Sequence, residues 1–252
     1  MSDDPMNSPN PPIPRERLKR NLEIVLENIR AAAEKASRSA SGIKLVAVTK
    51  YSGLDELFGL LELGVRDFGE SRIQDAERKI KAVSTRTTTL LDPPHWHLIG
   101  HLQTNKVDKA ARLFQGIHSI DSLRVAQGLN KEALKARLCP GLSCLLEVNV
   151  AGEEKKFGLR PDMAEIGALL KSCAELGALR ITGLMAMAPH SDNPESTSRP
   201  VFRRLREILQ ELNNSPFYPR PLTELSMGMT QDYGIAVEEG ATMVRVGSAL
   251  FL

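Results

Sequence analysis

The sequence predicts a single (β/α)8 barrel, a TIM barrel of the α/β class. Three observations carry that expectation: eight apolar or β-branched runs, helical patterns between them, and a length of 252 residues. Strict alternation of strand and helix implies parallel strands joined by right-handed crossovers. Eight such units in ~250 residues is the usual size of the closed form. A doubly wound open sheet is the alternative architecture for the same pattern. A 42% hydrophobic content is enough to bury one large core.

Residues 1–14 are rich in Pro, Asn, Ser and Asp and carry acids at Asp3 and Asp4, so a disordered tail is expected there and not a signal peptide. The barrel is then expected over 15–252. From Arg15 to about Ala36, Leu18, Leu22, Val25 and Ile29 recur at helical spacing. Strands are expected near 44–49, 65–68, 96–99, 117–120, 144–150, 180–185, 222–226 and 242–246. Helical patterns between them include Leu54, Leu57, Phe58 and Leu61, then Val107, Ala110, Ala111 and Phe114, then Leu205, Ile208, Leu209 and Leu212. Seven intervening helices and the N-terminal one make eight, and the N-terminal helix can fill the slot beside strand one. The last helix, around Tyr233 to Glu239, is short, and Ser191 to Pro200 reads as a long polar loop.

Charge excludes some functions. Thirty-three basic residues face 31 acidic ones, a net charge of +2 without a basic stripe, so no nucleic-acid surface is indicated. Arg199, Arg203, Arg204 and Arg206 form the densest cluster and read as a solvated helix face. Cys139, Cys144 and Cys173 are odd in number and lack paired Cys-x-x-Cys spacing, which points to reduced, inert core thiols in a cytoplasmic setting. No stretch reaches the ~18 apolar residues of a membrane span.

Lys50 ends the first apolar run, Lys44-Leu-Val-Ala-Val-Thr-Lys50, at the barrel end where working residues sit. Among apolar neighbours a lysine loses charged-state stabilisation, and its neutral amine can attack an aldehyde. The loops after strands seven and eight commonly hold phosphate in barrels. Here they are Ser226-Met-Gly-Met-Thr230 and Gly247-Ser248, two pairings of Gly with a hydroxyl that can form an anion nest or serve as ordinary turns. Arg245 on the last strand points into the barrel or out toward the helices. If inside, it needs a partner, either a pyridine nitrogen or a carboxylate such as Glu224 or Glu147. His95 and His97 share one strand face, a spacing that suits metal but lacks further ligands, so satisfied core histidines are expected; His101 is the better rim candidate. Gly-x-Gly-x-x-Gly, Walker, His-Glu-x-x-His and Gly-x-Ser-x-Gly motifs do not occur.

The motifs Val46-Ala-Val-Thr-Lys50, Asp67-Phe-Gly-Glu70, Trp96-His-Leu-Ile-Gly-His-Leu-Gln-Thr-Asn-Lys106, His118-Ser-Ile-Asp121, Val148-Asn-Val-Ala-Gly-Glu153, Gly183-Leu-Met-Ala186, Leu225-Ser-Met-Gly-Met229 and Glu238 to Ser248 occur in this order. Together they resemble the pyridoxal phosphate homeostasis proteins. The resemblance runs from about residue 43 to the C-terminus and implies a barrel of the alanine racemase N-terminal-domain type that holds pyridoxal 5'-phosphate as a Schiff base without evident catalysis. It assigns Lys50 to the Schiff base, Arg245 to the pyridine nitrogen, Ser226, Gly247 and Ser248 to the phosphate, and Met185 and Met227 to the cofactor lining. Ser71, also in the cofactor site, stands where the family usually has Asn and has less hydrogen-bonding reach. Tyr51-Ser-Gly53, Gly234 and the closing Phe251-Leu252 also depart from the family pattern.

The resemblance thus implies a cytoplasmic carrier, monomer or weak dimer. Its partners would be pyridoxal phosphate and pyridoxal-phosphate-dependent apoenzymes, without nucleic acid or membrane. An amino-acid racemase is the alternative. It needs a second base across the cofactor ring, for which Tyr51, Tyr218 and Tyr233 are weak substitutes. A third reading is a barrel that binds some other phosphate, with Lys50 only as a counter-charge.

Overall fold

The computed structural model describes residues 13–86, 92–138, 141–154 and 156–252, so most of the expected tail and Cys139 lie outside the described residues. The first helix, α1 (Arg15–Lys35), turns Leu18, Leu22, Val25, Ile29 and Ala33 to one buried face, as the 3.6-residue period requires. The strands are β1 (Lys44–Val48), β2 (Asp67–Glu70), β3 (His95–Leu98), β4 (Gly116–Ile120), β5 (Leu142–Glu147), β6 (Leu179–Met185), β7 (Glu224–Ser226) and β8 (Met243–Val246). Between them run α2 (Leu54–Glu62), α3 (Ile73–Arg86), α4 (Val107–Leu113), α5 (Leu123–Lys135), α6 (Met163–Ala174), α7 (Pro194–Asn213) and α8 (Tyr233–Glu238). A four-residue helix, α9 (Ser248–Phe251), follows β8, making nine α-helices among the described residues where the sequence led us to expect eight.

Every strand pairs in parallel with its neighbours in sequence, and β1 pairs with β8, so the sheet is a closed eight-stranded barrel and not an open one. α1 packs on α2, α8 and α9 and so covers the seam where the two ends of the chain meet. Asn21 on α1 ties that seam by donating to the carbonyls of Leu250 and Leu252, at 3.1 and 3.0 Å.

Other expectations also required correction. β2 begins two residues later than expected: Val65 is buried in the outer layer but precedes the ladder, which starts where Asp67 pairs with His95. The stretch 191–200 is a loop only as far as Asn193. The Asn193 side chain accepts from the Ser196 N–H, Pro194 occupies the first turn, and α7 runs on through Pro200. The arginines of α7 are also more than a solvated face. Arg199, Arg203 and Arg206 converge on the Glu239 carboxylate at 2.9, 3.2 and 3.0 Å, and Arg199 reaches Glu238 at 2.8 Å. This cluster clamps α7 to the end of α8.

The layer between barrel and helices is apolar, with Ala47, Phe68, Trp96, Leu98, Ile117, Leu146, Leu184 and Val244 facing outward from the strands. Cys144 and Cys173 belong to it, and burial pushes both thiols up, Cys173 to about 11. The interior is different: His97, His118, Ser226 and Arg245 are buried there beside Val46 and Met243. Among the described residues, no helix is long and apolar enough to cross a membrane.

Phe68 is fully buried against Trp96, ring centroids 5.5 Å apart. Phe68→Ala should lower the unfolding free energy by about 3–5 kcal/mol, read from urea denaturation; a loss below ~1 kcal/mol would contradict this packing.

Candidate functional site

In a parallel barrel all strands end at the same face, and the residues just past their ends form the working mouth. Lys50 lies two residues beyond β1 at that mouth. It is exposed, not enclosed by apolar neighbours, and its Nζ sits 5.0 Å from the centroid of the Tyr51 ring. Beneath it the strand end is anchored by buried Thr49 and Glu70 and half-buried Lys79. The Thr49 hydroxyl donates to Glu70 Oε1 at 2.5 Å, and Lys79 Nζ bonds the same carboxylate at 2.8 Å and the Thr49 carbonyl. The amine therefore projects from a pinned strand end.

Across the mouth, β7 runs into the turn Ser226-Met-Gly-Met-Thr230. Gly228 adopts a φ of 89°, and a Cβ there would stand 2.5 Å from that of Ala236, so both its conformation and its surroundings demand glycine. Asp232 locks the turn by accepting from Met229 N at 2.6 Å and from the Ser198 hydroxyl at 2.8 Å. The Thr230 hydroxyl accepts from the backbone N–H groups of Gly247 and Ala249, each at 3.4 Å, which joins the loops after β7 and β8. Thr230 lies in a motif the sequence had already marked, yet its bridging role is visible only once the two loops are adjacent. Gly247 is half-buried and Ser248 exposed in the same turn.

Arg245 points into the barrel and is 3% exposed. Its Nη1 donates to Ser226 Oγ at 2.7 Å and its Nη2 to the Ala186 carbonyl at 3.0 Å. It forms no hydrogen bond to Glu224 or Glu147; Glu224 accepts instead from Thr182. Burial lowers the guanidinium to about 10, partly offset by Asp232 and Glu147, so it stays charged at neutral pH. The Ser226 hydroxyl also meets His118 Nδ1 at 2.9 Å, so that side chain is engaged in the barrel interior. Met185 and Met227 are fully buried at the ends of β6 and β7, and Ser71 lies half-buried just past β2 against Gly100.

His95 and His97 do lie on one strand face, and both approach Asp67, His97 Nε2 at 2.8 Å, but only His97 is a core histidine; His95, at the start of β3, is exposed. Among the described residues no group of three potential metal ligands converges. His101 stands at the rim, stacked on Phe157 with centroids 3.6 Å apart and 3.3 Å from Asp121. Glu147, weighed from sequence only as a counter-ion, ends β5 at this mouth. It is 4% exposed, and its Oε2 has no hydrogen-bond partner. Burial, and then repulsion by Asp121, push its carboxyl up to about 7 against the pull of Arg245.

Residues 21–252 match the family model for the alanine racemase N-terminal domain. A relative from Aquifex aeolicus named pyridoxal phosphate homeostasis protein is 39% identical over 230 residues, 91% of this chain and 95% of its own length. A Pseudomonas aeruginosa protein of the same name is 38% identical over 92% of this chain and 93% of its own. Among solved structures, PipY of Synechococcus elongatus with PLP bound superposes with a TM-score of 0.75 and 32% identity, covering 93% of this chain and all of the other.

The Glu147 environment has a measurable consequence. Between about 4.5, the ordinary value, and about 7 the folded state holds a proton that the unfolded chain has released, so stability falls as pH rises through that window. Glu147→Gln should therefore be more stable than the wild type at pH 8, by on the order of 2 kcal/mol, with the difference vanishing near pH 4. Parallel denaturation curves at both pH values check this; a pH-independent difference would contradict it.

Proposed function

The chain belongs to the pyridoxal phosphate homeostasis protein family, within the reach of the alanine racemase N-terminal-domain model, and from that premise we propose that it binds pyridoxal 5'-phosphate at the barrel mouth as a Schiff base on Lys50. The observation that carries the proposal is the convergence of three chemically distinct groups at one end of the barrel. An exposed amine follows β1, a buried guanidinium rises from β8, and a turn of small and hydroxyl residues joins the loops after β7 and β8. They suit, in turn, the aldehyde, the ring nitrogen and the phosphate of that cofactor.

The residues present fit the group. Thr230, Gly247 and Ser248 would hold the phosphate with hydroxyls and backbone N–H groups. Ser71, Met185 and Met227 would line the ring, and the backbone around Ser226 would complete the cradle. The aldehyde supplies covalent attachment to an amine, and the conjugated ring supplies an electron sink. Arg245 works against the second property. A guanidinium donates a hydrogen bond to the ring nitrogen but does not give up its proton, so the ring remains a weak sink. Retention is thereby favoured over carbanion chemistry.

The tyrosines support a carrier over a racemase. Tyr218 lies before β7, at the opposite end of the barrel, where its hydroxyl accepts from Ile181 N at 3.0 Å. Tyr233 sits in the outer layer with its hydroxyl bonded to Asn28 at 2.9 Å. Tyr51 shares the Lys50 turn and is 82% exposed. None of the three is offered to the ring from the side opposite the lysine. The role proposed is storage and delivery of pyridoxal phosphate to dependent apoenzymes, as a cytoplasmic monomer or weak dimer.

Lys50→Ala should abolish the imine absorbance of protein incubated with pyridoxal phosphate while keeping the wild-type melting curve, since the side chain is exposed. An unchanged imine band would remove Lys50 from the site. Arg245→Ala should weaken cofactor retention by roughly tenfold or more, the scale of a lost charged hydrogen bond. Equal dissociation constants in equilibrium dialysis would contradict the ring contact.

A further inference from the structure

Arg245 is the last member of a row of hydrogen-bonded side chains that crosses the barrel interior from one end to the other. Asp67, the first residue of β2, meets His97 Nε2 at 2.8 Å. His97 Nδ1 meets His118 Nε2 at 3.0 Å, with the rings edge to face. His118 Nδ1 meets Ser226 Oγ at 2.9 Å, and Ser226 Oγ accepts from Arg245 at 2.7 Å. The row begins on the face away from Lys50, where Lys44 stands 3.4 Å from Asp67, and ends at the mouth.

The two ends fix the direction of the outermost bonds. Arg245 can only donate, and an ionised Asp67 can only accept. Burial would raise the Asp67 carboxyl, but the His97 hydrogen bond and the positive groups near it, Lys44 among them, outweigh it and hold it below its ordinary value. Burial, with His97, Arg245 and Lys44 beside it, holds His118 well below its ordinary value, so that ring is neutral. One proton arrangement that satisfies every contact runs the length of the row: Arg245 donates to Ser226, Ser226 to His118, His118 to His97, and His97 to Asp67. Aligned bonds of this kind polarise one another in a low-dielectric interior. Space has been left for the row as well, since a Cβ on Gly116 would stand 2.5 Å from His97 Nδ1 and obstruct its bond to His118.

We propose that Asp67, His97, His118 and Ser226 are positioning residues, a barrel-spanning row that fixes the orientation of the Arg245 guanidinium toward the ring nitrogen of the bound cofactor. The proposal rests on the cofactor reading above and deepens it, because it ties the ring contact to a carboxylate at the opposite end of the barrel. None of the four needs to touch the cofactor through its side chain. Ser226 and the Ala186 carbonyl hold the two Nη atoms, and the row behind Ser226 keeps its hydroxyl turned so that an oxygen lone pair faces Arg245.

The test compares wild type, His118→Phe, His118→Gln and Asp67→Asn, each loaded with pyridoxal 5'-phosphate. The readouts are the dissociation constant, the pH profile of the bound cofactor's absorbance, and the melting temperature. His118→Phe keeps a ring but breaks the row, and should raise the dissociation constant about tenfold and displace the absorbance profile along the pH axis. His118→Gln offers one donor and one acceptor and should restore most of both. Asp67→Asn, far from the mouth, keeps the acceptor but loses the charge, and should displace the profile in the same direction by a smaller amount. Should His118→Phe fail to fold, Asp67→Asn decides by itself. Folded variants with wild-type affinity and an undisplaced profile would overturn the proposal. A wild type that takes up no cofactor would instead overturn the reading it rests on.

Discussion

A buried guanidinium organises the interior of this barrel. An unpaired charge among strand side chains costs several kcal/mol or more, and Arg245 is 3% exposed with no carboxylate bonded to it. It is accommodated by dispersal: Ser226 and the Ala186 carbonyl accept its hydrogen bonds, and two imidazoles pass the polarity on to Asp67. Asp232 and Glu147 add attraction from nearby without direct contact. Much of the interior is polar for this reason, whereas the opposite faces of the same strands supply Phe68, Trp96, Leu98 and Ile117 to an apolar outer layer. The period-2 alternation of the strands thus separates stability from function, the outer face carrying the core and the inner face the cation and its supports.

The mouth follows a different logic. Its groups lie on loops held to a closed sheet, and each loop is pinned beneath the surface: the β1 end by Glu70 and Lys79, the β7 loop by Asp232, the β8 turn by Thr230. Rigid supports beneath exposed groups suit a protein whose task is to hold a small molecule, because little ordering remains to be done on binding. The cost is borne by Glu147, a carboxyl enclosed at the mouth with one oxygen unbonded.

Much of this was legible in the sequence because it depends on local pattern. Eight apolar runs and their helical spacers reported the barrel, and Leu18, Leu22, Val25 and Ile29 reported α1. The errors had local causes too. Asn193-Pro194 was mistaken for loop although it caps α7, and β2 was set too early because Val65 looks like a strand residue. The partners of Arg245 could not be read, since the chain separates it from Ser226 by 19 residues and Ser226 from His118 by 108. Sequence offered a pyridine nitrogen or a carboxylate for it; barrel closure supplies a hydroxyl and a carbonyl as its protein partners. His97 was legible only as a core histidine and His118 only as part of a motif, since nothing in their spacing shows that β3 and β4 bring their rings together.

The central claim is that the amine of Lys50 forms an imine with pyridoxal 5'-phosphate at the barrel mouth. It is tested most directly by incubating the purified protein with the cofactor, reducing with borohydride, and locating the added mass by peptide mapping. The account predicts one pyridoxyl-phosphate adduct per chain, on Lys50. An adduct spread over surface lysines, or none at excess cofactor, would contradict it and leave a barrel that binds some other phosphate.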